Sequence, residues 1–131
     1  MFPEELKNAA FRAVNGEYGW TRSQVPPVVE ILRGKQLAIL GGELWWVLEG
    51  SSWNGVIPQR SGPDTVYTWE TKRRRKERWS GFVARCASDT LVAVNRWPPP
   101  EDLPVDLPGQ ILYNLTWVDE AEYSQLGSRV V

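Results

Sequence analysis

LAILGGELWWVL, residues 37 to 48, is the stretch on which the fold turns. Two apolar runs flank Gly41-Gly42, and a pair of residues that tolerates positive φ between two such runs is the pattern of a tight hairpin. Pairing across that turn sets Leu37, Ile39, Leu44, Trp46 and Leu48 on one face. Gln36, Ala38, Leu40, Glu43, Trp45, Val47 and Glu49 take the other. The first face is purely apolar and belongs on the core. Tight hairpins build antiparallel sheets, so this reading sets the class of the chain.

Upstream, two helices are expected. Pro3 suits a first helical position, Glu4 and Glu5 favour the positive N-terminal end, and Gly16 supplies a left-handed stop. Phe2, Leu6, Ala9, Ala10 and Ala13 mark one face of that helix. A second, shorter helix runs from Pro26 or Pro27 to Arg33, packs Val28, Ile31 and Leu32, and stops at Gly34.

Downstream, residues 50 to 64 are turn-rich and read as a long loop. Residues 65 to 71, TVYTWET, form a third strand with Tyr67 and Trp69 on one face. From about Arg75 a helix is expected, with Trp79, Phe82, Val83, Cys86, Ala87, Thr90, Leu91 and Val94 at helical spacing. The alternative breaks it at Ser88-Asp89 and makes residues 90 to 94 a strand. Residues 97 to 109, WPPPEDLPVDLPG, are a stiff connector. A last strand follows, with Ile111, Tyr113, Leu115 and Trp117 inward, and Asp119 caps a short helix through Leu126. The whole is a single α+β domain over residues 1–131. It has a small antiparallel sheet of about four strands and helices packed on one face.

The composition narrows the chemistry. There are 131 residues, a net charge of -1, one cysteine and no histidine. Without histidine the chain lacks the commonest general base at neutral pH, every His-ligated metal site and every Ser-His or Cys-His pair. No metal or cofactor is expected, and no catalytic residue. Cys86 falls on the apolar stripe of a helix, where a thiol is packed and inert. Glu43 and Glu49 share a strand face about 20 Å apart, too far for a glycosidase pair. Glu70 could approach one of them, subject to an unknown register. Apolar runs fall far short of the roughly 20 residues that span a bilayer, and no signal-peptide pattern opens the chain. The expectation is a cytoplasmic protein without a membrane role.

Two surfaces stand out. Lys72, Arg73, Arg74, Arg75, Lys76 and Arg78 place six of the fifteen basic residues within seven positions, broken only by Glu77. At a helix N-terminus such a block opposes the dipole, so local folding does not explain it. It is either a strand end and turn, with the helix beginning nearer Glu77, a surface for an acidic partner, or a run paired internally with Asp119, Glu120 and Glu122 or with Glu101 and Asp102. The eight tryptophans are the second feature. Trp46, Trp69, Trp79 and Trp117 read as inward, while Trp45 on the outer hairpin face and Trp53 in the loop are candidate ligand or interface aromatics.

These features point first to a non-catalytic interaction module that binds another protein through the basic run. A second reading is single-stranded nucleic-acid binding through residues 72–78, phosphates on the cations and bases on the flanking rings. A third is a small-ligand pocket at Trp45 and Trp53. The size, the Trp-rich α+β pattern and the lack of catalytic groups resemble small bacterial accessory proteins, such as toxin-neutralising immunity proteins.

Overall fold

At the centre of the sheet lies one unbroken strand, β3, Ala38–Leu48. It runs straight through Gly41-Gly42, so the expected hairpin is absent. A computed structural model describes residues 11–12, 18–48, 54–56, 68–96 and 109–129. In it β3 pairs along its length with β6, Gly109–Val118, from Ala38 opposite Val118 to Leu48 opposite Gly109. The other edge of β3 carries β5, Thr68–Glu70, beside residues 41–43, and β4, Asn54–Val56, beside residues 45–47.

The two glycines serve close approach rather than a turn. Neither has the positive φ that a two-residue turn demands. A Cβ on Gly41 would collide with the Trp69 backbone carbonyl, and one on Gly42 with the Asn114 carbonyl and the Trp69 indole. Glycine inside a strand marks such approaches or a bulge, and here the register slips between Ile39 and Gly41. A one-residue bulge and a two-residue turn change the facing parity in the same way. Ile39 and Leu44 therefore share the core face as expected, although the topology differs.

Beyond β6 the sheet continues to β2, Tyr18–Trp20, and then β1, Phe11–Arg12. Every pairing is antiparallel. The helix expected to reach Gly16 is thus replaced at Phe11–Arg12 by strand, and Asn54–Val56 is strand where a loop was expected. The remainder of that helix, residues 49–53 and 57–67, and the connector 97–108 lie outside the described residues.

Helix α1, Val25–Gly34, follows a short 3-10 turn at Arg22–Gln24. Its stop is two residues later than expected. Gln36 adopts φ 58, and Leu37 N–H donates to Leu32 O while Gln36 N–H donates to Arg33 O, both at 3.0 Å. This is a helix-ending motif that usually takes glycine at the left-handed residue. Helix α2 spans Trp79–Arg96 without a break, so the strand alternative for residues 90–94 is wrong. Helix α3, Glu120–Arg129, starts at the expected Asp119 cap and runs past the expected Leu126; the cap is a reciprocal box in which Glu122 N–H donates to Asp119 Oδ1 at 2.8 Å, and Asp119 N–H to Glu122 Oε1 at 2.9 Å.

α1 and α2 cover one face of the sheet. Val25, Val29 and Leu32 of α1 meet Phe82, Val83 and Cys86 of α2 over Trp20, Ile39, Leu44, Tyr113 and Leu115. The architecture is α+β. None of the helices among the described residues is long and apolar enough to cross a membrane.

Candidate interface: the basic turn before helix α2

The basic run is neither strand nor helix. Thr71 ends the strand pairing by donating its N–H to Leu40 O at 2.8 Å, and its hydroxyl to Asp89 Oδ2 at 2.9 Å. The chain then runs without regular secondary structure through residues 72–74, turns at Arg75-Lys76 with φ 64 at Lys76, and enters α2 at Trp79. The helix begins later than the expected Arg75. All six cations therefore precede the helix, so none of them sits inside its first turn, where the dipole opposes positive charge most.

Glu77, the one acid in the run, holds the turn together. Its Oε1 accepts Arg74 N–H at 2.9 Å, and its own N–H donates to Arg74 O at 3.1 Å. Arg85, two helical turns along α2, reaches back to Glu77 with Nη2 to Oε1 at 2.8 Å and Nε to Oε2 at 2.9 Å. Arg85 also donates to Lys72 O at 2.6 Å. Paired, charge-assisted hydrogen bonds of this kind are the strong ones. The Arg85 hydrogen bonds, with the Arg74 N–H, hold the Glu77 carboxyl down at about 2. Arg85 is in turn raised, chiefly by Glu77.

Tertiary structure divides the six cations. Arg73 turns inward: it donates Nε to Glu77 O at 3.0 Å, pairs through Nη2 with Glu120 Oε2 at 3.3 Å, and lies 5.2 Å from the centre of the Trp79 ring. Its backbone N–H donates to the Tyr123 hydroxyl at 3.2 Å. Lys72 pairs with Glu70 at 3.5 Å, both largely in solvent. Arg74, Arg75, Lys76 and Arg78 are exposed, and among the described residues their charged groups form no ion pair. Internal pairing and surface exposure, alternatives in the sequence, thus coexist. Of the acids proposed for the pairing, Glu120 makes the contact, while Glu101 and Asp102 lie outside the described residues.

The flanking rings are occupied. Trp69 packs over Gly42 and donates Nε1 to Thr90 Oγ1 at 3.2 Å. Trp79 donates Nε1 to Gln36 O at 2.8 Å and meets Phe82 edge-on at 5.5 Å and Tyr123 at 5.9 Å.

Trp45 is the clear correction among the candidate aromatics. It does face away from α1 and α2, but it is 2% exposed. Its ring lies against Gly19, where a Cβ would come within 3.1 Å, and its Nε1 donates to Glu43 Oε1 at 2.9 Å. A covered ring offers no platform. Trp53 lies outside the described residues, as does the side chain of Trp46, whose backbone pairs with Ile111 and Gly55.

The register also places the carboxylates. Glu70 stands opposite Gly41 and Glu43 opposite Thr68, so the two acids share the outer face one diagonal step apart. Both line an open cleft of about 430 Å³ with Thr68, Asn114 and Thr116. Glu43 is held by Trp45, and Glu70 is turned to Lys72. Cys86 is fully buried, and that burial pushes its thiol up to about 12, the opposite of the lowered value and exposure that a nucleophilic thiolate has. Asn114, within a glycosylation-like Asn-Leu-Thr, is buried and donates Nδ2 to Tyr18 O at 2.9 Å.

Sequence reading overlooked Arg85 and Tyr123 as supports of the basic turn. The signal for Arg85 was present, since Glu77 is the only acid in the run and Arg85 stands eight residues on, two helical turns away. Compared with known protein families, with curated proteins and with solved structures, the chain matches none.

Proposed function

We propose that this protein is a non-catalytic interaction module whose turn Arg74–Arg78 docks the acidic surface of another protein. The observation that carries this reading is the contrast within the run. Arg73 is spent on the fold, whereas Arg74, Arg75, Lys76 and Arg78 project from a turn that Glu77 and Arg85 clamp. Clamping a charged loop in advance removes part of the ordering cost of binding. Opposite potentials then raise the encounter rate. The net charge of -1 does not cancel this, since screening confines distant acids to about 8–10 Å.

The same geometry argues for protein over single-stranded nucleic acid. Sequence-tolerant strand binders stack bases on free aromatic faces beside their cations. Here Trp69 and Trp79 are both committed to internal packing and hydrogen bonds. A small bacterial accessory protein, immunity-like in kind, is the narrower form of this reading.

The test is affinity capture from extract of the source cell, run with and without nuclease treatment. The captured protein is then purified and its affinity measured across a salt series. Wild type should bind it with an association rate that falls as salt rises. The variant with Arg74, Arg75, Lys76 and Arg78 all changed to Gln should lose most of that rate while melting like wild type. A partner held equally by the variant, or capture that nuclease abolishes, would count against the proposal, and the second result would favour nucleic acid.

A further inference from the structure

A groove of about 480 Å³ opens between the chain leaving β5 and helix α3. Leu40, Tyr123 and Leu126 supply its apolar surface, and Glu70, Lys72 and Arg73 stand around it. A space of this size suits a large side chain with its adjoining backbone, since ligand pockets begin at roughly 300 Å³. Leu126 is 39% exposed, one of two large apolar residues left in solvent among the described residues. A single exposed leucine is ordinary. This one forms a wall of a groove that adjoins the unpaired cations, and that placement gives it meaning.

Charge around the groove is balanced. Lys72 faces Glu70, and Arg73 faces Glu120. The unbalanced cations start one residue later, at Arg74. We infer that the groove receives a large apolar side chain of the acidic partner, so that the partner's docking element carries an apolar anchor beside its acids. The anchor would fill the neutral groove while the neighbouring carboxylates meet Arg74, Arg75, Lys76 and Arg78. The inference rests on the reading above and adds the feature that gives it selectivity, because charge steers encounter while a buried anchor prolongs the complex.

Panning a random twelve-residue peptide display library tests this, with three baits: wild type, Leu126→Gln, and the variant with all four turn cations changed to Gln. Leu126 is exposed, so its substitution spares the fold. Wild type should select peptides that combine Leu, Ile, Phe or Trp with several acids. Changing the anchor of a synthetic consensus peptide to Ala should weaken its binding to wild type about tenfold, the worth of burying such a side chain, and much less for Leu126→Gln. The four-Gln bait should keep the apolar preference and lose the acids. Acidic peptides without an anchor, or an anchor preference unchanged by Leu126→Gln, overturn the groove inference and leave the acidic-partner reading standing. Peptides without acids, or none enriched on wild type, overturn both.

Discussion

Arg85 grips Glu77 with two hydrogen bonds, Nη2 to Oε1 at 2.8 Å and Nε to Oε2 at 2.9 Å, and by that grip ties a surface turn to the middle of a helix. The pair has a pH signature. Glu77 is lowered from an ordinary 4.5 to about 2. A carboxyl depressed in the folded state contributes stability that is full above its unfolded pKa and disappears as pH falls through the folded one. The window is therefore about pH 4.5 down to 2. Glu77→Gln should be less stable than wild type at pH 7, and the gap should close across that window. Urea midpoints of both proteins at pH 7, 4 and 2.5 measure it, and a gap constant with pH would contradict the pairing.

The glycine pair separates strand from turn. Asparagine is favoured at the first position of a two-residue hairpin turn, so Gly41→Asn would be harmless in a hairpin. In β3 its Cβ would strike the Trp69 carbonyl. A loss of about 1–3 kcal/mol is expected, in the range of overpacked sites. Chemical denaturation reads the difference directly.

Gly34 offers the opposite sign. It lies within α1 with open space where a Cβ would go, and the left-handed residue is Gln36. Gly34→Ala should stabilise the protein by about 0.5–1 kcal/mol through helix propensity. Were Gly34 the left-handed stop, the same change would destabilise it, so the sign of the shift in melting temperature decides.

Trp45→Ala should cost about 3–5 kcal/mol, the usual loss for emptying a buried aromatic site. An exposed Trp45 would be nearly free to replace. The unfolding free energy of the purified protein distinguishes them.

Within the basic run, stability should divide as the contacts do. Arg73→Gln gives up the pairing with Glu120 and the contact with Trp79. It should cost about 1–2 kcal/mol from a charged hydrogen bond and a cation–π contact. Changing Arg74, Arg75, Lys76 and Arg78 together to Gln should leave the melting temperature unchanged or slightly raised, because like charges are removed. Calorimetric melts of the two variants side by side check both statements.

Local pattern by itself determined the elements whose cause is local. The α1 apolar stripe, the alternation Tyr113-Leu115-Trp117 and the Asp119 cap each depend on residues within a few positions of one another, whereas the spacing from Trp79 to Val94 left a strand at residues 90–94 open until the fold showed α2 unbroken. The α+β class was read from a hairpin at Gly41-Gly42 that does not form; it holds because the unbroken β3 pairs antiparallel with β6 instead. The path of β3 was decided only by tertiary structure. A Gly-Gly pair is equally consistent with a turn and with a strand that two neighbours approach closely, and the deciding atoms belong to Trp69 and Asn114, distant in sequence. The short strands β1, β2 and β4 carry two or three residues each, too few to show a period. Trp45 shows the same limit, since alternation assigns a face and burial depends on what else reaches that face. The basic run was visible at once, but its division into one cation spent on the fold and four held out to solvent depends on Glu77, Arg85, Glu120 and Tyr123. Those residues meet only when α2 and α3 pack against the end of β5, and long-range packing leaves no periodic trace in a single sequence.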